Sequence, residues 1–306
     1  MSLARLFEEL RPTAFAIAYR MLGSVSEAED IVQEAFLRLH STLAAGERVE
    51  SPRAYLSTVV TRLCIDELRS ARARREHYVG EWLPEPLVEA GGTDMDPARR
   101  AEMADSLSLA FLVLLESLSP EQRAAFLLRE VFDYPFGQIA AIVGKSEDNA
   151  RKLVARARKH VAERRPRFET SRERRDELAQ RFFAAALNGD VQALEHLLAH
   201  DVVLHGDGGG KAPAIIRAVH GRVRVARALL SWARATARLE GVSLRPAQVN
   251  GQPGAIVLDA AGGVLGVMAL DIAEGQVQAV NSVINPDKLR HLSPVGDLGA
   301  LLRPPT

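Results

Sequence analysis

Apolar residues fall three or four positions apart through the first 75 residues, the period of helices that bury one stripe. Three segments carry it: "LARLFEELRPTAFAIAYRML", "SEAEDIVQEAFLRLHSTL" and "SPRAYLSTVVTRLCIDELRSARARRE". In the second, Ile31, Ala35, Phe36 and Leu39 share a face, and Ser26 with Glu29 has the form of a capping box. Pro52 opens the third, at a position where its missing N–H costs nothing. Residues 76–104 mix proline, glycine and acid without a period, which predicts a linker. Helical spacing resumes near Asp105 and ends near Pro166. A charged helix over "SRERRDELAQRFFAAALNGDVQALEHLLAHD" then gives way to apolar runs separated by Asn-Gly, Gly-Gly and Glu-Gly-Gln, the turn signals of an antiparallel sheet. The pattern thus predicts two all-α domains, 1–75 and 105–167, with the linker 76–104 between them. An α+β domain over 172–291 and a tail over 292–306 follow.

At 306 residues and 47% hydrophobic, the chain can build more than one core. Thirty-nine basic residues balance thirty-nine acidic ones, but the balance hides segregation. Residues 144–167 hold nine Lys or Arg against three Asp or Glu, and residues 76–104 hold two against seven. A basic block behind an acidic one points to a polyanion-binding element. The single cysteine, Cys64, has no partner for an intrachain disulfide and sits between Leu63 and Ile65 as core filler. No run approaches the roughly 18 apolar residues of a membrane span, and "MSLARLFEEL" carries acid where a signal peptide is apolar. A cytoplasmic location, no membrane partner, no cofactor and no metal are expected.

The stretch "HGDGGGKA", residues 205–212, invites comparison with a phosphate-gripping loop. Aligned on Gly210 and Lys211, it has His205 where the first glycine belongs and Ala212 where the magnesium-binding hydroxyl belongs, so the comparison fails.

"FGQIAAIVGKSEDNARKLVARAR", residues 136–158, fits a helix-turn-helix. Ile139, Val143, Ala150 and Leu153 supply apolar contacts, Ala140 a small residue at the crossing, and Gly144 the positive φ of the turn. Ser146 caps the second helix, whose first turn carries Glu147 and Asp148. Helical phase turns Glu147, Asn149, Arg151, Lys152 and Arg156 outward, residue types suited to base edges in a major groove. Lys159, Arg164 and Arg165 are placed for phosphates. A packed hairpin with a solvated basic face is the alternative.

With "EAEDIVQEAFLRLH" and "SPRAYLSTVVTRLCIDELRSARARRE" ahead of it, the chain resembles the extracytoplasmic-function sigma factors of the σ70 family: a sigma-2 domain followed by a sigma-4 domain. The resemblance implies a transcription initiation factor whose partners are the RNA polymerase core and promoter DNA. It places Asp30, Gln33, Glu34 and Leu37 on the helix that docks on polymerase. It places Ser146 and the outward residues through Lys159 at the minus-35 element, and Arg48, Ser51, Tyr55, Arg62 and Arg69 at the minus-10 element. Tyr55 stands where many relatives have tryptophan, and a core role is open to it too. These domains perform no chemistry.

The last domain resembles the SnoaL-like, nuclear-transport-factor-like cone, which one sigma-factor subgroup carries fused at its carboxyl end. Three signatures of that subgroup stand in order: "WLPEP" with Trp82, Pro84 and Pro86; "DGGGK" with Asp207, Gly208, Gly209, Gly210 and Lys211; and "NPDKL" with Asn285, Pro286, Asp287 and Lys288. The expectation is that the prolines stiffen the linker, Trp82 anchors it, and it docks near Asp207, Lys211 and Asp287. A local tryptophan staple beside a bare glycine loop is the alternative. His205, His220, Asp259 and Asp271 are the acid–base groups a cone enzyme would use, and strand alternation puts Asp271 on a face with Leu265 and Val267. Regulation in cis, replacing a separate anti-sigma factor, is the leading reading of the cone. A ligand-sensing cone, an enzyme with attached DNA-binding domains, and a repressor independent of polymerase are the others.

Overall fold

The computed structural model describes residues 3–75, 78–88, 106–163, 171–292 and 294–302. Most of the acidic linker, together with Arg164 and Arg165, lies outside them. The chain divides into two compact units, one within residues 1–77 and 112–165, the other within 78–111 and 166–306.

The first unit is helical. Helices α1 (Leu3–Leu22), α2 (Val25–Ala44) and α3 (Pro52–Arg75) pack on one another through Ile17, Leu22, Val32, Leu39, Leu56 and Val60, all buried. Cys64 is buried with them, and burial pushes its thiol up, so it is inert filler. The cap of α2 is Ser24, which accepts from Glu27 N at 3.2 Å, and not Ser26. Ser24-x-x-Glu27 and Ser26-x-x-Glu29 fit one template two residues apart, and Glu29 is drawn instead to Arg11 at 2.6 Å. The shift also buries Val32 where Ile31 was expected. After α4 (Leu109–Glu116) come α5 (Pro120–Glu130), closed by a full capping box between Ser119 and Gln122, then α6 (Phe136–Val143) and α7 (Glu147–Ala162).

The second unit is α+β. The charged helix predicted through Asp201 is two helices, α8 (Arg172–Asn188) and α9 (Val191–Leu197), separated at Gly189, whose φ of 72° ends the first. Its last residues already belong to β1 (Leu198–Asp207), because the apolar spacing of "LLAHDVVLH" serves a strand as well as a helix. Then follow β2 (Val219–His220), α10 (Arg222–Thr236), β3 (Ser243–Val249), β4 (Gln252–Leu258), β5 (Val264–Ala273), β6 (Gln276–Val283) and the single turn α11 (Pro286–Leu289). Asn250-Gly251 and Glu274-Gly275 take positive φ in the two tight hairpins, as their sequence signals require.

The sheet order is β2-β1-β6-β5-β4-β3, and β1 runs parallel to β6, so the sheet is mixed and not antiparallel throughout. Turn signals report neighbours in sequence; they are silent on a pairing that closes across seventy residues. Ala255 and Ile256, successive residues of β4, face opposite sides. The first side packs on α8, α9 and α10 through Phe182, Leu204, Leu229 and Leu270. The second carries Val249, Ile256, Val267, Ala269 and Val283, and Leu83 and Leu109 lie on it. Asp271 shares this second side with Val267. Leu265 does not, being the extra residue of a bulge opposite Val257 and Leu258 that turns it into a separate cluster with Ile284 and Leu298.

Asp271 is 2% exposed, accepts from Asn281 Nδ2 at 2.8 Å, and leaves Oδ1 without a partner. Burial raises its carboxyl to about 6 from 3.8, partly offset by Asn281. The folded state thus holds a proton that the unfolded chain has released, so this group's contribution to stability falls as pH rises from about 3.8 to 6. We expect Asp271→Asn to raise the stability of this unit at pH 7.5 by on the order of 3 kcal/mol and to flatten the decline across that window. Urea unfolding followed by tryptophan fluorescence checks it, since Trp82 and Trp232, the chain's two tryptophans, both lie in this unit.

Candidate nucleic-acid interface and linker clamp

Helices α6 and α7 meet through Ile139, Ala140, Val143 and Ala150, and the turn is closed by Gly144 in the left-handed region, with φ 65°. The deeper contact of α7 comes from Val154, Ala157 and Val161, with Leu153 half-buried, so the packed stripe sits one residue on from the expected Leu153. Ser146 accepts from Asn149 N at 3.3 Å, which leaves the first turn of α7 regular. Glu147, Asn149, Arg151, Lys152, Arg156 and Lys159 are all exposed on one side. Arg151 is held by an ion pair to Glu147 and lies 4.4 Å over the Phe136 ring.

On α2, Asp30, Gln33, Glu34 and Leu37 form an outward stripe, with Leu37 55% exposed and Glu34 paired to Arg38. An exposed leucine among acids on a helix whose other face is core is the composition of a docking surface.

The third group is divided. Arg48 is exposed, and Ser51 caps α3 by accepting from Ala54 N. Tyr55 is half-buried, its hydroxyl 3.0 Å from Thr42 Oγ1. Arg62 donates to Ala141 O at 2.8 Å and Ile142 O at 3.1 Å, carbonyls that the end of α6 leaves without helical partners. Arg69 pairs with Glu121 of α5 at 2.6 Å. The hydrogen bond of Ser57 with Tyr134 and that of Arg123 Nη1 to Met21 O, both 2.6 Å, also tie α1 and α3 to the later helices.

In the second unit, Asp207 is fully buried at the end of β1. Its Oδ1 accepts from Tyr78 Oη at 2.5 Å, and its Oδ2 accepts from Leu83 N at 2.8 Å and Lys288 Nζ at 2.6 Å. Lys288 also donates to Leu83 O, and its ammonium lies 4.1 Å over the Trp82 ring. One buried ion pair therefore gathers "WLPEP", "DGGGK" and "NPDKL". Burial, then the hydrogen bond to Asp207, pushes the Tyr78 phenol well up, so it stays a donor. Lys211 pairs with Asp287 at the surface.

The glycines fit closely. Gly209 has φ 58°, and a Cβ there would strike the Asn285 amide; at Gly208 it would strike Ala212 O. Pro84 and Pro86 are buried, while Trp82 is half-buried and Leu83 is the side chain that enters the core. Asn250 holds both ends of the linker: Leu87 N donates to its Oδ1 at 2.8 Å, and its Nδ2 donates to Leu107 O at 2.9 Å. Tyr78, Leu83 and Asn250 were missed from sequence. Asn250 was read as half of an Asn-Gly turn, and nothing in the pattern marks its free amide.

The first unit joins a helical bundle to a helix-turn-helix with an outward basic face, an arrangement that suits a DNA-binding transcription factor. Residues 6–74 match the Sigma-70 region 2 family and residues 108–161 the Sigma-70, region 4 family. The chain is 40% identical over 291 residues to the ECF RNA polymerase sigma factor SigJ of Mycobacterium tuberculosis, covering 92% of this chain and 91% of that one. It is 32% identical to the probable ECF RNA polymerase sigma factor SigI of the same species, covering 89% and 90%. The crystal structure of the M. tuberculosis SigJ superposes with a TM-score of 0.74 at 37% identity, covering 96% of this chain and 100% of that one. The chain belongs to the extracytoplasmic-function sigma factors, which partner RNA polymerase core and promoter DNA to initiate transcription. No helix among the described residues is long and apolar enough to cross a membrane.

Removing one member of a buried ion pair strands the other. Asp207→Asn and Lys288→Met singly should each destabilise the second unit by about 3–5 kcal/mol, and the double variant by less than their sum. Urea titrations monitored at Trp82 and Trp232 measure the coupling; additive losses would show that the pair does not act as one.

Proposed function

We propose that the carboxyl-terminal domain sets sigma activity in cis by holding the linker between the two sigma domains. The observation that carries this is the grip of Asp207, Lys288 and Asn250 on that linker. The 33 residues between Arg75 and Leu109 would span on the order of 110 Å if extended. With Leu87 and Leu107 both bound to Asn250, the residues between them drop out of the tether. A shorter tether raises the effective concentration of one DNA-binding domain at its site once the other is bound. In this reading Trp82, Pro84, Pro86, Asp207 through Lys211 and Asn285 through Lys288 form the regulatory contact, the domain stands in for a separate anti-sigma factor, and the protein works in the cytoplasm. It acts by contact and not by chemistry: His205 lines the domain's main cavity, whereas His220, Asp259 and Asp271 do not.

Multi-round transcription with core polymerase on a cognate promoter tests it. Asp207→Asn and Trp82→Ala should each lower output several-fold while binding to core is unchanged; wild-type output from both removes the proposal.

We infer further that Asn149, Arg151, Lys152 and Arg156 read the minus-35 element, with Glu147 and Ser146 ordering the helix start and Lys159 on a phosphate. Asp30, Gln33, Glu34 and Leu37 meet polymerase; Arg48, Ser51, Tyr55, Arg62 and Arg69 serve the minus-10 element. The two kinds of DNA contact differ in their salt response. Lys159→Ala should weaken all promoters alike and reduce the salt slope by about 1, whereas Lys152→Ala should cost roughly 1–3 kcal/mol and relax preference at one position. Equilibrium binding of holoenzyme across a salt series, on wild-type and point-substituted promoters, distinguishes them.

A further inference from the structure

Between α8, α10 and the sheet lies a cavity of about 170 Å³. Its walls are apolar, with Phe182, Phe183, Leu229 and Trp232 from the helices and Val257 and Met268 from the strands. An apolar cavity of about 150 Å³ stays dry and admits benzene, so this one has room for a single ring with a small substituent. A charged molecule is excluded, because no counter-ion lines the walls except through His205.

His205 is where the cavity meets the linker. Its ring lines the cavity, and its Nδ1 lies 3.2 Å and 3.3 Å from the two carboxylate oxygens of Glu81, which stands beside Trp82 in the linker. Gly206 N also faces Glu81, at 3.4 Å. A carboxylate can only accept, so Nδ1 carries the hydrogen, and in the neutral imidazole Nε2 is left as an acceptor. A hydroxyl donated to Nε2 polarises the ring and strengthens the Nδ1–H bond to Glu81. Occupancy of the cavity and docking of the linker then favour each other, and the coupling runs equally in both directions.

We propose that this cavity binds a neutral, single-ring molecule carrying one hydroxyl, a phenol being the simplest case, and that His205 transmits its presence to the linker through Glu81. The inference rests on the linker clamp as the regulatory element, but its test does not use transcription, so the two can fail separately. The full chain is titrated with p-cresol, toluene and benzoate by calorimetry and by ligand-observed NMR. Saturable binding of p-cresol is expected, with toluene at least several-fold weaker and benzoate absent. Leu229→Trp, which fills the cavity, should abolish it. Glu81→Gln, which leaves the cavity wall intact, should weaken p-cresol several-fold and leave toluene unchanged. No saturable p-cresol binding, or equal affinity in Leu229→Trp, overturns the site. Equal p-cresol affinity in Glu81→Gln and wild type overturns the coupling.

Discussion

A carboxylate with no exposure at all needs every lone pair used, and Asp207 meets that demand with donors from two distant parts of the chain. Tyr78 and the Leu83 amide come from the linker, and Lys288 from the turn after the last strand. None of these has a reason to be near the others except the charge at the end of β1. The Lys288 ammonium in turn needs acceptors, and takes Asp207, Leu83 O and the face of Trp82. Once this pair is buried, the path of residues 78–83 follows, and so does the absence of side chains at Gly208 and Gly209, where Ala212 and Asn285 come too close.

The pair does not hold the linker alone. The side of the sheet carrying Val249, Ile256, Val267 and Val283 would be a continuous apolar surface without Leu83 and Leu109 on it. Burying one leucine there contributes roughly 1.5–3 kcal/mol, comparable to what a well-satisfied buried pair yields after desolvation. Hydrophobic cover gives the linker affinity for the sheet, and the directional bonds of Asp207 and Asn250 fix its register. Apolar contact alone would let the strand-like segment slide; hydrogen bonds alone would leave greasy sheet in water.

Helix existence, the three-glycine loop and the helix-turn-helix were legible in the sequence because each is a local rule: a period, a positive φ at Gly144, a serine before a charged first turn. The misreadings came where a local rule had two equal solutions. Ser24 and Ser26 both satisfy the capping template, Leu153 and Val154 both fit the helical stripe, and "LLAHDVVLH" fits helix and strand. Contacts that close over long separations left no trace in the pattern. The parallel pairing of β1 with β6 is one, Asn250 gripping Leu87 and Leu107 another. Membership of three motifs in one site was readable from resemblance, but that their meeting point is a buried charge on Asp207, with Leu83 and not Trp82 going deepest, required the structure.

The first unit carries a different kind of constraint. Arg62 spends its guanidinium on the carbonyls that end α6, and Arg69 its own on Glu121. If both hold promoter phosphates, as proposed, the same cations serve two masters, and packing of α3 on α5 and α6 competes with DNA. The exposed Arg69–Glu121 pair is worth at most about 1 kcal/mol, so it yields easily to a polyanion. Arg123 is different: it is 3% exposed, and its bonds to Met21 O and Leu115 O would have to find water if the helices parted. The competition is therefore graded, with surface cations that exchange readily set around one buried guanidinium that resists. Separation of the two halves of this unit must be driven by a partner that offers more than counter-charge, and an apolar dock such as the one Leu37 presents supplies that kind of energy.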